Sequence, residues 1–241
     1  MPESSEHEFE LLKQEHVRLL RTINHDIKSP LHAIQSLTQM FAQNPDSFSE
    51  SELETMAVEI NRSVGGIGEI LESMLAWMDY QRSRYSLAKQ SESLQDEVEL
   101  ALAELKPRAE TKGITLDAEL DPVLIDCMET GLRRCMKILL SNAIKFSPDN
   151  STVKVRSRTD SSGNVRLTVQ DQGHGLSEKA RNQLFTLEER IISEGTRGEK
   201  GAGLGLLMAR DIMERSGGQV GFENVEQGAC FYLELKMGEE K

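Results

Sequence analysis

Apolar residues that recur every three or four positions across the first third of the chain constrain its fold more than any other feature. Leu20, Ile23, Ile27, Leu31, Ile34, Leu37 and Phe41 place one stripe on a helix from about residue 8 to 43. Asn44-Pro45-Asp46-Ser47-Phe48-Ser49 reads as a turn. Ser49 is the natural N-cap of a second helix, and Glu52 completes a capping box. That second helix carries Leu53, Met56, Ile60, Val64, Ile67, Leu71, Met74 and Met78, close to a heptad seam. Gly65, Gly66 and Gly68 lie inside it, and each costs about 1 kcal/mol against alanine, so its middle is the pliable part. A hairpin of two such helices leaves its seam in water. The economical cover is a second copy, giving a homodimeric four-helix bundle.

After Arg84 the heptad pattern stops. A helix is predicted over Leu94–Ala109, closed by Lys112-Gly113, and short strands at 114–116 and 123–125. A further helix spans Thr130–Phe146. Val153 and Val155 alternate with charged residues, Ser161-Ser162-Gly163-Asn164 turns, and Val165–Val169 returns as a hairpin. A helix opening in glycines covers 203–216. Val220–Phe222 and Cys230–Leu233 pair around Glu226-Gln227-Gly228. This mixture of helices and antiparallel hairpins indicates an α/β two-layer sandwich behind the helical hairpin. The domain reading is 1–88 for the hairpin and 89–241 for the sandwich.

Composition removes several function classes. Twenty-eight basic residues stand against 40 acidic ones, a net charge of −12, which opposes nucleic-acid binding as the main role. Three scattered cysteines without a CxxC spacing argue for reduced thiols and no zinc site of that type. No apolar run is long enough to span a membrane, and the start Met-Pro-Glu-Ser-Ser-Glu lacks the layout of a signal peptide. The expectation is a cytoplasmic chain.

Four short strings carry chemistry. His25, two residues from each of Ile23 and Ile27, points away from the seam. Asp26 beside it can fix the ring tautomer and leave the other nitrogen nucleophilic. Pro30 costs about 3 kcal/mol inside a helix and bends it there, which marks a site. Asn142 and Lys145, three apart, share a helix face. A carboxamide oxygen suits Mg²⁺ and a lysine suits phosphate. Asp171-Gln172-Gly173-His174-Gly175 comes directly after a strand. Its carboxylate can accept from an adenine amino group, and Gly173 and Gly175 let backbone approach a ligand. Gly201, Gly203 and Gly205 open a helix whose amides can meet phosphate. No βαβ unit accompanies them, and no Gly-Lys-Ser/Thr ends them, so neither a Rossmann nor a Walker A loop is present. The long loop before them holds Phe185, Arg190, Arg197 and Lys200 and can close over phosphates. Taken singly, each string also reads as a surface histidine, a polar helix end or a plain turn.

In this order the strings resemble the two-component sensor histidine kinases. His25–Leu31 is similar to their phosphoacceptor box and Asn142–Pro148, which includes Phe146, to the N box. Asp171–Gly175 is similar to the G1 box, Phe185 to the F box and Gly201–Gly205 to the G2 box. The resemblance covers nearly the whole chain. It implies an ATP-binding domain of the gyrase, Hsp90, histidine kinase and MutL type, with Mg²⁺ and ATP as cofactors. Phosphorylation then falls on His25, with transfer to an aspartate of a response regulator receiver domain. Ser29, one turn after His25, is placed to orient a water for dephosphorylating that regulator. The family's second Asn, four residues before Asn142, is replaced by Ile138, which is aimed at the phosphates and metal on this reading. That substitution keeps a second reading open: a dimeric regulatory module or phosphatase with a degenerate nucleotide site.

Overall fold

The computed structural model describes residues 24, 26–83, 87–177, 180–181, 184–185, 194–199, 203–223 and 225–239. The chain divides into two compact units. The first ends at Leu75 and also takes in Gly198–Ala202. The second holds Ala76–Arg197 and Gly203–Lys241.

In the first unit, helix α1 covers residues 26–43 and a single 3-10 turn occupies Pro45–Ser47. Helix α2 runs Glu50–Ser83. The part of the first predicted helix before α1 lies outside the described residues, apart from Asn24, which is helical. The capping box forms as the sequence predicts. The Ser49 N–H and hydroxyl both donate to Glu52 Oε2, at 2.8 and 2.7 Å, and the Glu52 N–H reaches Ser49 Oγ at 3.4 Å. Those bonds hold the Glu52 carboxyl below its ordinary pKa. Helix α2 passes through Gly65, Gly66 and Gly68 unbroken, with open space where each side chain would stand. Leu31, Phe41, Leu53, Val64 and Leu71 of the two stripes remain exposed, as does Leu75 at 63%.

In the second unit, Trp77 is half-buried and Tyr80 is buried in the core at 1% exposure. Strand β1 (Lys89–Ser93) pairs antiparallel with β3 (Leu124–Met128). Met237 adds a bridge to Ile125 and the Gly238 N–H donates to Leu124 O at 2.9 Å, so the segment after the last strand lies beside β3. Helix α3 spans Leu94–Thr111, with the Ser93 hydroxyl accepting from the Asp96 N–H. Strand β2 is Thr115–Glu119, helix α4 Gly131–Phe146, strand β4 Thr152–Thr159 and strand β5 Asn164–Gln170. Helix α5 (Gly205–Ser216) precedes strands β6 (Gln219–Glu223) and β7 (Cys230–Lys236).

The larger sheet has the order β2-β4-β5-β7-β6, parallel between β2 and β4 and antiparallel elsewhere. Val165, Leu167 and Val169 alternate inward on β5, as do Phe231, Leu233 and Leu235 on β7. They meet Leu132, Met136, Leu139 and Leu140 of α4 and Ile212 and Met213 of α5 in one core. This is the expected two-layer sandwich, because period-two strands and period-3.6 helices each bury one face. Strand β1, Lys-Gln-Ser-Glu-Ser, is an addition. It carries no apolar residue and exists through its pairing with β3.

Candidate nucleotide site

Two segments meet the C-terminal end of α4, the turn after β5 and the Thr196-Arg197 pair of the long loop, and the start of α5 packs against Ile138 further back on the same helix. Asp171 sits just past β5 and is 4% exposed. Its Oδ1 accepts the Gly173 N–H at 2.8 Å and the Ala229 N–H at 3.0 Å, while its own N–H donates to Ala229 O at 2.9 Å. Oδ2 takes no hydrogen bond among the described residues. Burial pushes the Asp171 carboxyl up from its ordinary pKa, and donation from Gly173 and Ala229 pulls the other way. A buried carboxylate with one oxygen committed and the other open is built to receive a hydrogen-bond donor.

The glycines around it are steric necessities. A Cβ on Gly173 would stand 2.4 Å from Phe146 O, and Gly175 adopts φ +71. Gly228, which sequence reading treats as an ordinary turn residue, has φ +81, and a Cβ there would overlap Asp171 O. Gly228 and Ala229 are therefore part of the site, and only their place in a glycine turn before a strand hints at it. Gln172 faces the sheet, its Oε1 accepting the Thr152 N–H at 2.8 Å.

Asn142 is half-buried on α4, and its carboxamide forms no hydrogen bond among the described residues. That leaves an oxygen donor for a hard cation, so the residue present fits Mg²⁺. No group of three or more His, Cys, Asp or Glu able to hold a metal occurs among the described residues. A cation at Asn142 would thus take its other ligands from water and phosphate, as Mg²⁺ commonly does. Lys145 is buried, with its ammonium 5.1 Å from the centre of the Phe146 ring. The Phe146 ring meets the His174 imidazole edge-on, 5.9 Å between centres and 77° between planes.

Ile138 is half-buried and lies beside Gly205, one of the glycines assigned by sequence to phosphate. Its side chain packs on the core and against the start of α5, where a Cβ on Gly205 would meet Ile138 Cγ2 at 2.9 Å. Gly205 is the first residue of α5, Leu204 before it is buried, and Gly203 takes φ +66. Phe185 is half-buried on the core, its carbonyl accepting from Arg210 at 3.0 Å. His25, Arg190, Lys200 and Gly201 lie outside the described residues. Asp26, half-buried, and Ser29, exposed, belong to α1 in the first unit.

The end of α4 is held by residues that sequence motifs do not point to. Lys112, buried at the C-cap of α3, donates from Nζ to Ile144 O and Lys145 O, both at 2.9 Å. An ammonium there satisfies terminal carbonyls and complements the negative end of the helix dipole. Gly113 beside it has φ +65, and a Cβ would strike Asn150.

The profile of the histidine kinase-, DNA gyrase B- and HSP90-like ATPase family matches residues 127–239. The chain is 31% identical over 232 residues to the sensor histidine kinase AruS of Pseudomonas aeruginosa, covering 91% of this chain and 22% of AruS. It is 30% identical over 230 residues to the sensor protein PfeS of the same species, covering 90% of this chain and 46% of PfeS. The chain thus spans less than half the length of both curated relatives. Its fold is similar to that of histidine kinase ThkA, solved in complex with response regulator protein TrrA. The TM-score there is 0.65 at 18% identity, covering 96% of this chain and 66% of that one. Residues 127–239, which include Asn142, Asp171 and its glycines, thus carry a domain of the histidine kinase-, DNA gyrase B- and HSP90-like ATPase family.

Proposed function

We propose that the chain binds Mg²⁺-ATP, phosphorylates itself on His25 and passes the phosphoryl group to an aspartate of a response regulator. One observation carries this reading most: Asp171, buried at the end of β5 with Oδ2 open, beside backbone cleared of side chains at Gly173, Gly175 and Gly228. An adenine amino group is a donor suited to that acceptor, and the Phe146 ring, edge-on to His174 of the same glycine turn, offers an apolar face. Mg²⁺ supplies charge neutralisation to the phosphates when bound, and Asn142 is the residue here that would hold it. Lys145, Gly203 and Gly205, with Arg190, Lys200 and Gly201, are assigned to the phosphate side.

In the phosphoryl step a neutral His25 nitrogen forms a bond to the γ-phosphorus as the bond to the ADP oxygen breaks. Asp26 holds the ring and stabilises its developing positive charge. Transfer then replaces the N–P bond by an acyl phosphate on the regulator. Ser29, exposed one turn on from His25, is assigned to orienting a water that hydrolyses it. We assign 1–88 to dimerisation and phosphotransfer, 89–241 to ATP binding, and a homodimer to cover the exposed seam. The ThkA–TrrA complex supports the regulator as partner. No helix among the described residues is long and apolar enough to cross a membrane, which is in keeping with a cytoplasmic place for this core.

Incubation with γ-labelled ATP and Mg²⁺ tests the reading. Acid-labile label should appear in the wild type and vanish in His25→Gln, while ATP binding survives. Label retained by that variant overturns the assignment. ATP binding without any label supports the second reading, a regulatory module or phosphatase, which the replacement of an Asn by Ile138 favours.

A further inference from the structure

Thr196 and Arg197, between Gly175 and Gly203, bond to the end of α4 and the turn beyond it. The Thr196 N–H donates to Lys145 O at 3.1 Å, and its hydroxyl lies 2.8 Å from Ser147 O and 3.3 Å from Lys145 O. Arg197 grips both oxygens of Asp149, Nε to Oδ1 at 3.1 Å and Nη2 to Oδ2 at 2.8 Å. Its Nη1 reaches Thr111 O at 3.3 Å. The pairing holds the Asp149 carboxyl below its ordinary pKa. None of these contacts is local: Arg197 stands 48 residues from Asp149 and 86 from Thr111 along the chain.

We propose that Thr196 and Arg197 are positioning residues for nucleotide binding, which brace from outside the same turn of α4 that presents Asn142 and Phe146. The proposal rests on the nucleotide reading above. Its physical basis is twofold. First, the carbonyls that end a helix have no partner within it, so a loop that donates to them finds fixed acceptors. A guanidinium fork on a carboxylate adds direction as well as attraction. Second, a helix end braced from outside holds Asn142 and Phe146 in place before a ligand arrives, which lowers the ordering cost of binding. Five residues separate Arg197 from Gly203, a reach of at most roughly 20 Å. Leu204, just beyond Gly203, is buried.

The full chain tests this with ATP titrated by calorimetry, steady-state autophosphorylation, and amide exchange over residues 194–199. Arg197→Ala and Asp149→Ala should each weaken ATP binding by about three- to tenfold, the range a partly exposed, bidentate pair supports. The loss should fall on KM for ATP more than on the maximal rate, with faster exchange at 194–199. The double alanine variant should be no worse than either single one, and the swap Asp149→Arg with Arg197→Asp should recover part of the affinity. Thr196→Val, which keeps shape and removes the hydroxyl, should weaken binding in the same sense. Affinity within twofold of wild type in Arg197→Ala, with exchange accelerated, overturns the positioning role. Additive losses in the double variant overturn the pairing. A wild-type chain that fails to bind ATP sinks the nucleotide reading instead, and the exchange comparison still decides whether the fastening exists.

Discussion

Asp171 combines burial with an uncommitted oxygen, and both properties have measurable consequences. Asp171→Asn can turn its amide donor toward the ligand's own donor and loses a charge-assisted bond worth about 1.5–3 kcal/mol, so ATP affinity should fall tenfold or more by calorimetry. Burial raises the Asp171 pKa, so acidification should weaken ATP binding at a higher pH than an ordinary carboxylate would, and the Asn variant should show a flat profile there. For stability the sign is opposite. The folded chain holds this proton more tightly than the unfolded one, so the contribution is full below the unfolded pKa and is lost as pH rises through the folded value. The Asn variant should then unfold no earlier than wild type at neutral pH. Asp171 stood out in the sequence only through its order among the other strings, since alone its string also reads as a plain turn. Ala229, which donates to it, did not, because a backbone N–H carries no residue signature. The thiols obey the same logic of burial. Cys127 and Cys230 are pushed up to about 11, and native chain should resist alkylation until it unfolds.

At the scale of elements, α4 and α5 meet where Ile138 lies against Gly205. Gly205→Ala should force that contact at a cost of about 1–3 kcal/mol, read by urea unfolding. Ile138→Ala should relieve part of it, so the double variant should be less damaged than the two losses together. Ile138→Asn should speed autophosphorylation and leave ATP affinity near wild type, and an unchanged rate would mean that the position serves packing alone. Helical spacing put Ile138 and Asn142 on one face correctly. It could not say that Ile138 also packs against Gly205 of the neighbouring helix. Strand β1 was illegible for a related reason, since strands made by pairing alone leave no apolar alternation. The capping box of α2 was legible because it is local: Ser49 and Glu52 need only each other. Lys112, by contrast, acts across more than thirty residues, and its sequence neighbourhood reads only as a helix end.

For the whole molecule, the exposed stripe and the proposed dimer make one joint prediction. Leu71→Glu or Val64→Glu should shift the chain from dimer to monomer in analytical ultracentrifugation while leaving ATP affinity near wild type, because both side chains are exposed in the first unit. Ser29→Ala should lower dephosphorylation of the regulator and spare labelling of His25; equal loss of both would point to damage to the helix. The order of elements and the sandwich were readable from period and turn chemistry. The compact units divide the chain elsewhere than at 88, for α2 keeps one heptad pattern through Leu71, Met74 and Met78 while its last turns, from Ala76 onward, lie in the second unit. There Tyr80 is buried and its hydroxyl donates to Asp211 of α5, which also accepts from Arg215 at 3.1 Å. Trp77, one turn earlier, is the chain's single tryptophan. The intrinsic indole emission of the protein therefore comes entirely from this end of α2. A shift in its colour during denaturation will report the undocking of that helix end from the catalytic unit, and it will be blind to melting of the helices further back, which circular dichroism must track instead.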